Sequence, residues 1–309
     1  MKILVVGAGA VGGYFGGRLL EKGEDVTFLV REKRKKQLEE TGLRIQSVHG
    51  DVHLTPKLIV SGEKPQTYDV ILVSTKAYHL QAVIKDIRPY VEKETMILPL
   101  LNGISHLDQL IDEFGEGPVL GGLCFVESTL DENGTVIQTS PIHNLVFGER
   151  TGKNTERIQQ LCQSFSMTKA NFIYSEEILK EMWQKYLFIS SLSGATTLMR
   201  APIGPIRATK SGFAVLAGIV TEVVAIMEKM GAPIDQKQIP SQLAKIKEMG
   251  YEMKSSMQRD MQKGLQTEAD HFFLYLLKQA QAENIKTPIL EIVYANLKVY
   301  EKAVLGIES

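Results

Sequence analysis

The chain has 309 residues, of which 44% are hydrophobic and 23% charged, with a formal net charge of −1 at pH 7. That length exceeds one ordinary core and predicts two domains, in a composition typical of globular proteins. Near-neutrality removes any overall electrostatic reason to expect a nucleic acid or an anionic membrane as partner.

Residues 2–6 are an apolar-leaning run that reads as a buried parallel strand, and glycines follow where a strand must turn sharply into a helix. In Gly7-Ala8-Gly9-Ala10-Val11-Gly12, Gly7 permits the tight turn, Gly9 admits a pyrophosphate close to the backbone, and Gly12 lets the helix pack near the strand. The first N–H groups of that helix then face the phosphates. Val11, Phe15 and Leu19 continue at helical spacing. A bare G-x-G-x-x-G is a weak signal, but here a strand precedes it, a helix follows and a second strand arrives on schedule, which marks a dinucleotide site.

Further along, residues 25–30 form the second strand and residues 33–40 a helix stopped by Gly42. Leu43–Ser47 and residues 52–60 alternate around Gly50-Asp51 and predict an inserted hairpin. Residues 69–74 are another buried strand, residues 80–90 a helix, and residues 95–101 a strand ending at the turn dipeptide Asn102-Gly103. Between 118 and 148, short strands separated by residues 131–134 and by Ser140-Pro141 predict an antiparallel extension of the same sheet. A helix over 155–167 and the strand Asn171–Tyr174 would close the first domain.

Ser175 followed by Glu176-Glu177 signals a helix start, with acids favourable to the dipole. The helical pattern then runs to the end, interrupted at Gly204-Pro205 and at residues 231–233, with 213–230 and 268–283 apolar enough for core helices. The expected class is therefore α/β: a dinucleotide-binding domain over residues 1–174, followed by an all-helical domain over 175–309.

Cys124 and Cys162 form no C-x-x-C, which argues against a zinc site or a dithiol redox centre and reads as two small buried hydrophobes. His49 and His53 have helical spacing, but Gly50-Asp51 between them marks a turn, so no metal site is expected. The chain opens directly on a core strand, with no signal segment, and no apolar run reads as a membrane span; a cytoplasmic location is the default. The apolar run 213–230 suits the interface of a homodimer as well as a core.

In this fold ligands bind outside the carboxyl ends of the strands. An NAD site normally has an acid after the second strand, accepting from the ribose 2′-OH; this chain has Arg31, which suits a 2′-phosphate, with Lys33, Arg34 and Lys35 adding positive field. NADP is the expected cofactor. Lys76 and Asn102 follow the next two strands, at the rim of the same crevice. The cofactor would supply a hydride, leaving the protein to supply a proton and an orientation. In the helical half, Lys185, Ile189 and Ser193 share one helical stripe, and an ammonium aimed at a carbonyl oxygen can polarise and protonate it. A solvated surface lysine is the plainer reading of Lys185 from the residues alone.

Over nearly its whole length the chain resembles the ketopantoate reductases (2-dehydropantoate 2-reductases). The resemblance rests on residues 7–12, Arg31, Ser74-Thr75-Lys76, Leu101-Asn102-Gly103, Trp183-Gln184-Lys185, Ser255-Ser256-Met257 with Asp260, residues 267–270 and Thr287-Pro288. It implies NADPH-dependent reduction of ketopantoate to pantoate, on the route to pantothenate and coenzyme A, between a Rossmann-type domain and a helical one. By match to the family, Lys185 would be the proton donor and Glu268 the acid near nicotinamide ribose and substrate. Ser256 would contact substrate, Asn102 both ligands, and Ser128 the cofactor. The family's substrate-binding asparagines, however, correspond here to Ile189, Ser193, Ile203 and Met253. Losing amide partners weakens or redirects substrate choice. Three readings follow: a ketopantoate reductase, a reductase of a more apolar 2-oxo acid or ketone, and an NADP(H)-sensing protein without turnover.

Overall fold

A computed structural model describes residues 1–63 and 66–306. Contacts divide the chain into two units, Met1–Leu179 and Lys180–Ser309.

The first unit begins with β1 (Lys2–Val6), α1 (Ala10–Lys22), β2 (Asp25–Leu29), α2 (Glu32–Thr41), β3 (Leu43–Ser47), β4 (Val52–Leu54) and β5 (Lys57–Ile59). It continues with β6 (Val70–Val73), α3 (Leu80–Ile87), β7 (Met96–Pro99) and α4 (Ser105–Phe114). Then come β8 (Gly121–Leu130), β9 (Val136–Gly148), α5 (Glu156–Phe165) and β10 (Asn171–Tyr174). One sheet has the order β5-β2-β1-β6-β7, with every pair parallel. Its central strands are buried on both faces, Ile3, Leu4 and Val5 and all of β6 being fully enclosed, as continuous apolar runs require. The chain leaves β1 towards β2 and β5 and returns on the other side at β6. Between β1 and β6 lies the topological switch point, and the glycine-rich turn stands at its carboxyl end.

Two parts of this unit differ from the sequence expectation. Residues 52–60 are two strands: β4 pairs antiparallel with β3, whereas β5, beyond Thr55-Pro56, pairs parallel with β2 in the first sheet. Val119 adds a single parallel bridge to Ile97 of β7, but from Gly121 onward the region 118–148 does not extend that sheet. It forms the long hairpin β8–β9 in a second sheet of order β10-β9-β3-β4, with β8 on the other side of β9. Ser140-Pro141 does not divide β9. It falls where the register shifts between the pairs Val126↔His143 and Ser128↔Gln138, a bulge in which proline's missing N–H costs no ladder bond.

Helix α1 lies between the two sheets, and its glycines make that possible. A Cβ on Gly16 would stand 2.8 Å from Val5 and 2.9 Å from Phe28 of the first sheet; one on Gly17 would stand 2.5 Å from Ile45 of the second. Only a helix with bare backbone on both sides fits so thin a gap. Helix α3 ends at Ile87, short of the expected residue 90, because Pro89 forces a single 3-10 turn over Arg88–Tyr90. Cys124 is buried and Cys162 partly so; both are free thiols.

The second unit is helical: most of α6 (Ile178–Met199), then α7 (Ile203–Ala208), α8 (Lys210–Lys229), α9 (Gln238–Glu248) and α10 (Ser256–Gln262). A π-helical turn, Asp270–Leu274, runs into α11 (Tyr275–Ala282), and α12 (Pro288–Leu305) follows. The Ser175 hydroxyl accepts from the Glu177 N–H at 3.0 Å, one turn ahead of α6. Contrary to the sequence expectation, α8 is long and apolar enough to cross a membrane. Leu216, Ile219, Val220, Val223, Val224, Ile226 and Met227 on it are nevertheless fully buried, the pattern of a core helix. Its Glu222 carboxylate accepts from the backbone N–H of Ile289 (3.0 Å) and Leu290 (2.8 Å), capping the start of α12.

Candidate active site

In the first unit the glycine-rich turn is built as its sequence demands. Gly7 has φ +93°, a left-handed conformation that favours glycine, and its N–H donates to the Leu29 carbonyl at 2.9 Å. A Cβ on Gly12 would collide at 2.1 Å with both the Gly7 carbonyl and the Ser74 hydroxyl. That hydroxyl donates to the Val6 carbonyl (2.9 Å) and reaches the Gly7 carbonyl (3.2 Å), so β6 holds the end of β1 from below. By contrast, a Cβ on Gly9 would meet nothing within 4 Å. The chain's own packing therefore does not demand glycine there, and the space above the helix start is what the expected pyrophosphate cradle requires.

Two further groups brace the turn. Ser128 donates to the Ala10 carbonyl at 3.0 Å, beside the register shift in β8. Arg34, on α2, donates from Nε to the Ala8 carbonyl (3.1 Å) and from its terminal nitrogens to the Gly134 carbonyl (2.9 Å) and Gln37 (2.7 Å). Sequence reasoning assigned Arg34 only a share of the positive field; its main contacts tie the turn to the β8–β9 connection. Lys35 is also engaged, with Glu63 at 2.6 Å, which leaves less of that field than the run of charges suggests.

Arg31 stands at the amino end of α2, immediately after β2 and Val30, and its guanidinium lies 3.1 Å from the His79 ring nitrogen Nδ1. Burial and the neighbouring Arg31 charge both push the His79 pKa below the ordinary imidazole value. Sequence reasoning missed His79. The only available signal was its place three residues after Lys76, which itself precedes the 3-10 turn Ala77–His79 beyond β6. Asn102 and Gly103 (φ +81°) form the turn between β7 and α4, at the same end of the sheet. A cavity of about 610 Å³ lined by Met1, Glu24, Asp69 and Met96 belongs to the opposite, amino end of the strands and shares no residue with this set.

The second unit brings its own residues together. Lys185 on α6 is 8% exposed and Ser193 2%, so this lysine is not the solvated surface residue of the plainer reading. Ile189, between them on the stripe, is half-buried. Tyr186, fully buried, donates from its hydroxyl to the Phe272 carbonyl at 2.5 Å, and the Phe272 N–H donates to the Glu268 carbonyl at 3.0 Å. Burial, with the nearby Tyr275, holds the Tyr186 phenol well above its usual pKa, which keeps it a neutral donor. The neighbours of Lys185 and Glu268 are thereby bonded to one another. Glu268 is 7% exposed and lies two residues before the π-helical turn, a distortion often found where helices carry functional groups.

Next to it, Thr267 donates to the buried carboxylate of Glu301 at 2.6 Å, and Lys298 bridges Glu301 (2.9 Å) and Asp270 (3.3 Å). Ser256 opens α10 behind the cap Ser255, whose hydroxyl is 2.8 Å from Thr196 of α6. Ile203 and Met253, two of the family's asparagine positions, are adjacent: the Ile203 N–H donates to the Met253 carbonyl at 2.9 Å. Ile203 is fully buried, and a Cβ on Gly204 would stand 2.3 Å from the Tyr251 ring.

Residues 3–152 match the sequence profile described as ketopantoate reductase PanE/ApbA, and residues 177–301 match that of its C-terminal domain. The chain belongs to the ketopantoate reductase family. It is 48% identical over 301 residues to the Bacillus subtilis (strain 168) protein named uncharacterized oxidoreductase YkpB, covering 97% of this chain and 99% of that one. Identity to the 2-dehydropantoate 2-reductase of Pyrococcus abyssi is 27%, over 96% of this chain and 97% of the relative. The crystal structure of 2-dehydropantoate 2-reductase from Geobacter metallireducens superposes with a TM-score of 0.85 at 29% identity, covering 97% of this chain and 99% of that one. Among ketopantoate reductases the fold seen here, a Rossmann-type α/β unit followed by a helical one, is therefore shared along the whole chain, and the protein is an oxidoreductase of that type.

Proposed function

We propose that the protein reduces the carbonyl of a 2-oxo acid with NADPH, ketopantoate to pantoate being the preferred reaction, with Lys185 donating the proton to the nascent alkoxide. The observation that carries this reading is the bonding of the Lys185 and Glu268 segments to one another through Tyr186 and Phe272. NADPH, when bound, supplies the hydride. The chain's residues do the rest. Turn residues 7–12 hold the phosphates through backbone N–H groups, and Arg31 takes the 2′-phosphate. Lys76, Asn102 and Ser128 line the cofactor. The Lys185 ammonium, withdrawn from solvent, polarises the substrate oxygen as charge develops there and gives up its proton. By match to the family, the Glu268 carboxylate would serve the nicotinamide ribose and the substrate. Asn102, Ser193 and Ser256 offer the remaining hydrogen bonds to substrate.

A second reading keeps the chemistry and changes the substrate to a more apolar 2-oxo acid or ketone. Ile203, fully buried where the family has an amide, favours it, with Ile189 and Met253. A panel of 2-oxo acids that includes ketopantoate, followed by NADPH absorbance, separates the readings. Ketopantoate should give the highest kcat/KM under the first, a branched apolar 2-oxo acid under the second. Tight NADPH binding with no turnover of any carbonyl would favour a nucleotide sensor. A cytoplasmic enzyme acting in pantothenate biosynthesis, possessing a helical catalytic domain over 175–309 and working as a homodimer, completes the proposal.

For the cofactor, Arg31→Ala should weaken NADPH binding by about 10- to 100-fold, as the loss of a charge-assisted contact implies, and leave NADH binding nearly unchanged. Titration followed by nicotinamide fluorescence reads this directly. Equal losses for the two nucleotides would remove Arg31 from the 2′-phosphate.

A further inference from the structure

Helix α12 holds the chain on both sides of Glu268. Its Tyr300 hydroxyl donates to the Leu265 carbonyl at 2.8 Å, its Glu301 carboxylate accepts from the Thr267 hydroxyl at 2.6 Å, and its Tyr294 hydroxyl donates to the Asp270 carboxylate at 2.8 Å. Lys298 joins the last two, reaching Glu301 at 2.9 Å and Asp270 at 3.3 Å. Helix α6 adds Tyr186, whose hydroxyl holds the carbonyl of Phe272, the residue whose N–H bonds to the Glu268 carbonyl.

Glu301 is 2% exposed, and both of its carboxylate oxygens are engaged, Oε1 by Thr267 and Oε2 by Lys298. Withdrawing a carboxylate and an ammonium from water costs much of what their attraction returns, and apolar residues of the same volume often stabilise a fold as well. What a fully satisfied buried network adds is fixed geometry. Its members also keep their protonation states. Burial works against the Lys298 charge, but the Glu301 and Asp270 carboxylates outweigh it and hold the pKa above the ordinary lysine value. Burial, then the bond to Asp270, push the Tyr294 phenol up to about 12, so it remains a donor. With residues 265, 267 and 270 all tied to one helix, the backbone at 268 has little freedom, and that backbone sets the direction of the Glu268 side chain.

On the role proposed above for Glu268, we infer that Glu301 and Lys298 are positioning residues: acting through Thr267 and Asp270, they fix the direction in which the Glu268 carboxylate is presented to its ligands.

Thr267→Val keeps the shape of the side chain and removes the hydroxyl that Glu301 holds, whereas Lys298→Met keeps the stem and removes the ammonium from a side chain that is already 15% exposed. Each should lower kcat/KM for the 2-oxo acid by about tenfold, as the loss of a charge-assisted hydrogen bond implies, and Thr267→Ser should restore it to within about twofold. Should Thr267→Val fail to fold, Lys298→Met carries the same test at the more exposed end of the network. Coupling separates positioning from general support of the fold: with Glu268→Ala already in place, neither change should cost more than about a further twofold. Crystals of the two variants give a readout independent of turnover, in which the Glu268 carboxylate should be displaced or divided between rotamers while the bond from Tyr186 to Phe272 persists. Three results would overturn the inference: wild-type kcat/KM in both variants, the same tenfold loss repeated in the Glu268→Ala background, or a Glu268 carboxylate that does not move. Wild-type turnover by Glu268→Ala alone would instead remove Glu268 from the reaction, and the variant crystals would still decide whether α12 sets its direction.

Discussion

Replacing Lys185 with alanine should lower kcat by about 10²- to 10⁴-fold while leaving the NADPH dissociation constant within a factor of about two, since a positioned general acid contributes on that order. The separation of effects follows from where the residues lie. Lys185 belongs to the helical unit, whereas the glycine turn and Arg31 that are proposed to hold the nucleotide belong to the first. Lys185→Arg should not rescue the rate, because a guanidinium keeps its proton throughout the usable pH range. Stopped-flow NADPH oxidation gives the rate, and fluorescence titration gives the binding. An alanine variant that turns over at the wild-type rate would remove Lys185 from the chemistry, and one that also loses NADPH would indicate damage to the fold.

The second large effect is expected at Gly12. An alanine Cβ would stand 2.1 Å from the Gly7 carbonyl and 2.1 Å from the Ser74 hydroxyl, well inside contact distance. Neither neighbour can step aside cheaply. Gly7 is held by its bond to Leu29 and Ser74 by its bond to Val6, so relief must come from moving the whole turn. Overpacking of this kind costs about 1–3 kcal/mol. Gly12→Ala should therefore lower the melting temperature by several degrees and weaken NADPH binding by about 100-fold or more, as the turn's N–H groups lose their common aim. Gly9→Ala supplies the contrast. Its Cβ meets no atom of the chain within 4 Å and its backbone (φ −85°) suits alanine, so stability should be unchanged. Affinity should still fall, because the methyl group would occupy the space proposed for the pyrophosphate. Calorimetry and nucleotide titration on the two variants distinguish a turn that merely packs from one that binds. If Gly9→Ala binds NADPH like the wild type, the cradle has been misplaced.

Local chemistry explains how much could be read in advance. The first turn was legible because each glycine there answers a constraint set within a few residues: a reversal, a close approach, a helix start. The place of Arg31 was legible because the position after the second strand is dictated by the strand itself. Lys185 was legible only through resemblance, since nothing in the local pattern distinguishes a withdrawn lysine from a solvated one. Its low exposure, and the bond from Tyr186 to the Glu268 segment, depend on residues 86 positions apart. His79 was missed for the same reason. Its contact with Arg31 spans 48 residues and joins the ends of two different strands.

What the sequence determined by itself is the alternation of strand and helix, the helical second half and the nucleotide-type turn, all of which follow from periodicity and glycine placement within short windows. Tertiary structure alone decided which sheet each strand joined. β4 and β5 have similar alternation and are separated by Thr55-Pro56, yet they pair in different sheets, and β8–β9 builds the second sheet instead of lengthening the first. The reason is physical: a two-residue period states that one face is buried but not against what. The deciding element is α1. Its glycines at 13 and 17 let Val136 and Ile45 close over it, while Gly16 lets Val5 and Phe28 approach from the other side, so one helix just after the nucleotide turn is clasped between both sheets.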